Sequence, residues 1–128
     1  MTTIPTRWRT TFEEQLDDAA RRLQVATGHL ERSEGGRALQ SAYPAVVAAA
    51  TVRVWLEHPP WARPLPTSEL QRLTRESFPN RFAGIAALDL KDVLTSPWPA
   101  DAVRPYLEEA QGFVKETRER LDICLAQD

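Results

Sequence analysis

The sequence has few of the residues that form disulfides or bind metals. It contains one cysteine, Cys124, and two histidines, His29 and His58. A single cysteine excludes an internal disulfide framework and a cysteine-based zinc site. Neither histidine belongs to an H-x3-H or E-x2-H arrangement, and no glycine-rich phosphate loop is present. We therefore predict no metal site and no cofactor.

Long apolar runs and an excess of positive charge are also missing. The most apolar stretch, residues 42–52, has eleven residues, whereas a helix needs about 20 to cross a bilayer. The first ten residues lack the apolar core of a signal peptide. Sixteen basic and eighteen acidic residues give a net charge of −2, which excludes a generally cationic surface for nucleic acid or lipid. We expect a cytoplasmic protein without a membrane partner.

Helical periodicity is abundant in the sequence. Apolar residues recur every three or four positions in residues 8–32 and again in 101–126, which predicts two long amphipathic helices. Asp101 is a good N-cap for the second of them. Burial of both stripes requires the helices to lie side by side. The stripes consist of Trp8, Phe12, Leu16, Ala19, Ala20, Leu23, Ala26 and Leu30, and of Val103, Leu107, Ala110, Val114, Thr117, Leu121 and Cys124.

Charged residues on these helices are spaced for ion pairs within each helix. Opposite charges four positions apart lie on one helical face, where each pair contributes a few tenths of a kcal/mol. We expect them on the solvated sides of the helices. The pairs include Asp17–Arg21, Asp18–Arg22 and Arg118–Asp122.

A third helix is predicted over residues 37–57, after a stop at Gly35-Gly36. It is apolar on most sides, so it should be the most buried element. Pro44 lies within the predicted range. A proline is tolerated in a first turn but kinks a helix interior, so the helix either begins near Pro44 or bends there.

The remaining segment predicts a broken helix. Residues 58–66 contain four prolines and form a loop. Short helices are predicted over 67–78, capped by Ser68, and over 82–94, and the prolines of 96–99 end the second. Together these short helices can fill the fourth position of a bundle. We predict an all-α, up-and-down bundle of four to five helices with one broken helix, forming a single domain over residues 1–128.

Arg53 and His58 form an Arg-x4-His spacing. A metal-independent ribonuclease needs such a pair, since imidazole can move the proton of the 2′-hydroxyl and guanidinium can stabilise the charge on phosphorus. Five helical positions, however, place two side chains about 140° apart. The structural alternative is a histidine at the helix end, near the negative end of the dipole, and an arginine at the edge of an apolar helix.

Arginines and aromatic residues alternate over residues 53–82, which suggests a site for a nucleotide or phosphate ligand. Guanidinium groups can pair with phosphate, and aromatic rings can stack on a base. In the alternative, the aromatic residues pin the proline-rich loop to the bundle and the arginines are solvated. The candidate ligand-binding residues are Arg63, Arg72, Arg75, Arg81 and Trp61.

The layout resembles that of a HEPN domain, the higher eukaryote and prokaryote nucleotide-binding helical bundle. The similar features are a long first helix, the Ala-rich segment ALQSAYPAVVAAATVRVWL, a proline loop followed by PTSELQRL, and the final helix DAVRPYLEEAQGFVKETRERL. The resemblance implies a bundle of four to five helices that often dimerises. Some members of that family are ribonucleases, and others are non-catalytic partners of a nucleotidyltransferase.

Active HEPN ribonucleases carry their Arg-x4–6-His motif in the later helices. In this chain the matching residues, Arg53 and His58, lie at the end of the helix predicted over residues 37–57, and the second half of the chain has no histidine. Cys124 belongs to an inward stripe, as expected of an inert core thiol. The sequence therefore favours a non-catalytic binding module, which pairs with another protein or with its own copy, over a ribonuclease. Nucleic acid is expected as a partner only under the ribonuclease alternative.

Overall fold

The computed structural model describes residues 4–76, 90–95 and 97–126. These ranges contain four helices of ten or more residues and one of six: α1 (Thr6–Glu31), α2 (Gly35–Glu57), α3 (Thr67–Glu76), α4 (Leu90–Thr95) and α5 (Ala100–Ala126). The described ranges contain no strand, and none of their helices combines the length and apolarity needed to span a membrane. The all-α prediction is confirmed.

Helices α1, α2 and α5 pack against one another and form the centre of the bundle. The turn between α1 and α2 has only three residues, so the two helices are antiparallel. Arg118 of α5 donates to Asp17 of α1, and Gln111 approaches Thr27 with 3.5 Å between Nε2 and Oγ1. Because residue numbers rise on α5 as they fall on α1, these two helices are also antiparallel.

Helices α2 and α5 run in the same direction. Arg53 lies beside Glu116, and Arg120 lies beside Glu57. Helix α3 contacts the end of α2, and residues 97–99 return the chain to the beginning of α2, where the carbonyl of Trp98 meets Gly35. The described parts of the chain between α2 and α5 therefore include α3 at the end of α2 and residues 97–99 at its beginning, as an up-and-down arrangement requires.

The core follows the predicted apolar stripes. Every member of the α1 stripe is buried except Trp8, which is half-buried, and Ala20, which is exposed. In α5 the stripe is buried down to Leu121, and Cys124 is half-buried. Val93 of α4 is also buried. Of the second short helix, predicted over 82–94, residues 90–94 are described, and the rest lies outside the described ranges.

Helix α2 is the most buried element, as predicted, with eleven buried residues against six in α1 and seven in α5. Pro44 lies inside it, so the helix begins nine residues before the proline rather than at it. Proline has no N–H and cannot donate the usual bond to the carbonyl of Gln40. The helix continues because packing of its neighbours outweighs the loss of one hydrogen bond.

The end of α1 differs from the prediction. Gly35 and Gly36 do not end α1; they form the first turn of α2. Ser33, with φ 60°, takes the left-handed conformation instead. The N–H of Glu34 donates to the carbonyl of His29 at 2.8 Å, and that of Ser33 donates to Leu30 at 3.0 Å. This pair of bonds is a Schellman motif, which satisfies the last carbonyls of a helix.

Candidate binding surfaces

Arg53 lies in the core rather than at an exposed site. Its side chain is 5% exposed, and Nη2 is 3.9 Å from Oε1 of Glu116. The guanidinium carbon stands 5.2 Å from the centre of the Phe113 ring. Both neighbours belong to α5, so the charge of Arg53 is engaged in joining α2 to α5.

His58 lies on another side of α2. It follows the last turn of the helix, where its N–H donates to the carbonyl of Val54 at 2.7 Å. Its exposed side chain lines a cleft of about 200 Å³ together with Val54, Glu57, Leu73 and Glu76. The two carboxylates that line the cleft are each paired with an arginine, Glu57 with Arg120 and Glu76 with Arg72. The structure does not bring His58 and the guanidinium of Arg53 to one exposed surface.

The other arginine candidates are dispersed. Arg63 lies in the loop after α2, and Arg72 and Arg75 lie on α3, all three exposed. Arg72 donates to Glu76 one turn later, with Nη1–Oε1 at 3.1 Å. Arg81 lies outside the described residues.

Trp61 belongs to an aromatic cluster at one end of the bundle. The cluster joins Trp8 and Phe12 of α1, Trp55 of α2, and Trp61 of the loop, with ring centres 5.4 to 6.1 Å apart. Rings at these separations pack tilted or stacked and exclude water from one another. Trp61 thus fastens the proline-rich loop to the bundle.

An apolar surface runs along the outer side of α1 and α2. Val47 is 41% exposed and Val25 is 50% exposed. Val47 lines a groove of about 480 Å³ with Tyr43, Pro44 and Ala48 of α2. Val25 lies two turns after Asp18 and three residues after Arg22, which line the α1 side of the groove, so it continues that side. We call this surface, with Val25, Tyr43, Pro44, Val47 and Ala48, the α1–α2 face.

The charges on the α1–α2 face cancel. Nε of Arg22 donates to Oδ2 of Asp18 at 2.8 Å, as the spacing of the two residues predicted. The hydrogen bond and charge of Arg22 hold the pKa of Asp18 below its usual value. Asp18 and Arg22 are the charged residues that line the groove. The face is thus apolar at its centre and neutral at its edge.

The sequence patterns do not predict the α1–α2 face. Val25 lies outside the α1 stripe, and the apolar character of α2 on most sides predicts a buried element. The apolar character of α2 on most sides is also the signal from which the α1–α2 face could have been predicted. A helix with apolar residues all round needs neighbours all round, and the side of α2 that carries Val47 and Tyr43 remains partly open to solvent.

Within the described ranges, no three histidine, cysteine, aspartate or glutamate side chains are grouped to hold a metal ion. No family model, curated protein or solved structure matches the chain.

Proposed function

We propose that this protein is a non-catalytic binding module that associates with a second copy of itself through the α1–α2 face. The observation that carries the proposal is the exposure of Val25 and Val47 beside the half-buried Tyr43 and Pro44. Scattered exposed apolar residues are ordinary, but a contiguous apolar patch with a polar edge is typical of an interaction site.

The charges of the face favour a second copy over a strongly charged partner. An interface with two-fold symmetry brings the same patch together from both subunits, so the patch must complement itself. Asp18 and Arg22 supply one charge of each sign. In such a dimer, Asp18 of each subunit can approach Arg22 of the other, and no like charges need to meet.

The helices that carry the α1–α2 face are long enough for a stable dimer. Helices of 26 and 23 residues are about 39 and 35 Å long at 1.5 Å per residue. If the polar residues that flank the face along both helices also take part, a strip about 35 Å long and about two helix diameters wide covers roughly 700 Å², close to the area that each partner buries in a standard interface.

The resemblance to HEPN domains supports the same proposal, because bundles of that family often dimerise. Non-catalytic members of the family also act as partners of a nucleotidyltransferase. Such a protein is the first alternative occupant of the α1–α2 face. The ribonuclease hypothesis, with Arg53 and His58, and the nucleotide hypothesis, with Arg63, Arg72, Arg75, Arg81 and Trp61, find less support. Arg53 and Trp61 are engaged within the bundle, and Arg72 is paired with Glu76.

Sedimentation equilibrium over a range of protein concentrations tests the proposal. We expect a reversible dimer in the wild type. Val47→Glu places a charge at the centre of the interface and should weaken dimerisation by at least 100-fold, since burial of an unpaired charge costs several kcal/mol. Ile123→Glu is the matched control, because Ile123 is 60% exposed and lies on α5.

The contrast between the two variants decides the result. Loss of the dimer in Val47→Glu together with its retention in Ile123→Glu supports the proposal. A wild type that stays monomeric at every concentration, or a dimer that Ile123→Glu alone disrupts, contradicts it. A monomer that binds a nucleotidyltransferase in equal amounts, and loses it in Val47→Glu, replaces the second copy with that partner.

A further inference from the structure

A second pocket lies between α1 and α5 and takes no part in the proposed dimer. It has a volume of about 360 Å³. Two contacts between the helices close its ends: Arg118 with Asp17 at one end, and Gln111 with Thr27 at the other. Asp17 and Thr27 are ten positions apart on α1, which is about 15 Å of helix. A pocket of this length is too short for a long helix of a partner protein but can hold a small molecule.

The floor of the pocket is apolar. Leu16 and Leu23 of α1 and Val114 of α5 line it, and all three are otherwise buried in the core. Ala20 lies between the two leucines along α1, and its small side chain leaves the middle of the pocket open. None of the described residues that line the pocket is aromatic, so they offer an alkyl chain close packing but give a nucleotide base no ring on which to stack.

The rim of the pocket is polar and carries one unbalanced positive charge. Gln24 and Lys115 line it between the two end contacts. Arg118 is neutralised by Asp17, whereas Lys115 is exposed and has no ion pair with any residue that the structure describes. A ligand with a single negative charge complements this rim. A phosphate ester, with about two charges, would need more donors than one lysine supplies.

We propose that the α1–α5 pocket binds a medium-length aliphatic carboxylate. The alkyl chain lies over Leu16, Ala20, Leu23 and Val114, and the carboxylate pairs with Lys115. Burial of apolar surface supplies most of the affinity, and the lysine fixes the orientation of the ligand. The pocket is open on one side, so each methylene of the ligand is only partly buried. Each added methylene is therefore expected to strengthen binding by about two- to four-fold until the length of the pocket is filled.

Calorimetric titration of the wild-type protein with hexanoate, octanoate and decanoate, below the concentrations at which they form micelles, tests the proposal. Affinity should rise along the series. Decyltrimethylammonium has the same tail as decanoate with a positive head group and should bind at least ten-fold more weakly. Equal binding of the two amphiphiles contradicts a role for Lys115, and the absence of carboxylate binding overturns the proposal.

Two variants assign the ligand to this pocket. Ala20→Leu fills the middle of the pocket and should weaken decanoate binding by at least ten-fold. Ala102→Leu, a matched control at another exposed alanine, near the beginning of α5, should leave binding unchanged. Lys115→Gln should weaken decanoate binding by about five-fold and leave decanol binding unchanged. Decanoate binding that stays at the wild-type level in Ala20→Leu would place the alkyl chain elsewhere and overturn the proposal.

Methyl NMR spectra of the wild type keep the test independent of any variant's folding. Decanoate should shift the methyl resonances of Leu16, Leu23 and Val114 and leave those of Val47 in place. Shifts confined to Val47 and its neighbours would contradict the assignment. The proposed dimer uses the α1–α2 face and is independent of the α1–α5 pocket. A monomeric protein would contradict the dimer but not the carboxylate site, and a dimer that does not bind decanoate would contradict only the carboxylate site.

Discussion

The guanidinium of Arg53 lies over the ring of Phe113, with 5.2 Å between Cζ and the ring centre, and joins α2 to α5 in the middle of the bundle. Guanidinium is planar and weakly hydrated for a cation, so it can stack on an aromatic face inside a protein. Glu116 lies beside it and balances its charge. Arg53 therefore has a structural role in the bundle, which does not depend on a substrate.

Arg53→Ala should therefore destabilise the fold. The change leaves a cavity beside Phe113 and removes the cation beside Glu116, which is partly exposed. We expect a loss of about 2–3 kcal/mol in the free energy of unfolding, measured by urea denaturation. Arg53→Met fills the same space without charge and should stay within about 1 kcal/mol of the wild type. Equal stability of Arg53→Ala and the wild type would contradict this account.

Gly35 and Gly36 should respond oppositely to the same substitution. A Cβ on Gly35 would lie 2.0 Å from the carbonyl oxygen of Trp98, whereas a Cβ on Gly36 meets nothing closer than 4.0 Å. Gly35→Ala forces the backbone apart and should cost about 3 kcal/mol. Gly36→Ala should stabilise the protein by about 0.5 kcal/mol, since alanine loses less entropy in a helix. Thermal denaturation compares them, and similar melting temperatures would refute the close approach to Trp98.

Trp61 should matter for stability and Arg63, two residues later, should not. Trp61 packs against Trp8 and Phe12, whereas Arg63 is exposed. Trp61→Ala should lower the free energy of unfolding by about 2 kcal/mol, and Arg63→Ala should change it by less than about 0.5 kcal/mol. Urea denaturation followed by circular dichroism measures both. A larger effect of Arg63→Ala would show that the loop is held by charge rather than by its aromatic residue.

Glu34 should stabilise the folded state at neutral pH, and this stabilisation should be lost in acid. Nε of Arg32 donates to its carboxylate at 2.8 Å, and Nη1 of Arg37 lies at 3.2 Å. The bond from Arg32, and then the contact with His29, hold the pKa of Glu34 below its ordinary value of 4.5. A carboxylate with a lower pKa in the folded state stabilises that state above the unfolded pKa, and the stabilisation is lost as the pH falls through the folded pKa.

The comparison of wild type with Glu34→Gln tests this dependence. The wild type should have the higher melting temperature at neutral pH, and the difference should narrow as the pH falls below about 4.5. Glu31→Gln removes a carboxylate near the same turn and serves as the control for net charge. A difference between wild type and Glu34→Gln that is equal at pH 7 and in acid would contradict the prediction.

The long helices could be predicted because their signals are local. The stripes over residues 8–32 and 101–126 predicted α1 and α5 to within two residues at each end, since burial on one face requires only a helical period. The loop after α2 followed from its prolines in the same way. The residue responsible for ending α1 was predicted wrongly, as Gly35-Gly36 instead of Ser33, because Ser33 adopts a left-handed conformation without being a glycine.

The candidate surfaces could not be predicted, because they depend on which sides of the helices remain uncovered. Asp17 shows the difference: local spacing pairs it with Arg21, but it accepts a hydrogen bond from Arg118, 101 residues later. The sequence determined the helices and their apolar stripes, since periodicity acts over a few neighbouring residues. Only the tertiary structure decided that Arg53 is buried, that Val47 is exposed, and that Ala20 and Lys115 border one pocket. Those outcomes depend on the register at which separate helices pack, which no short segment contains.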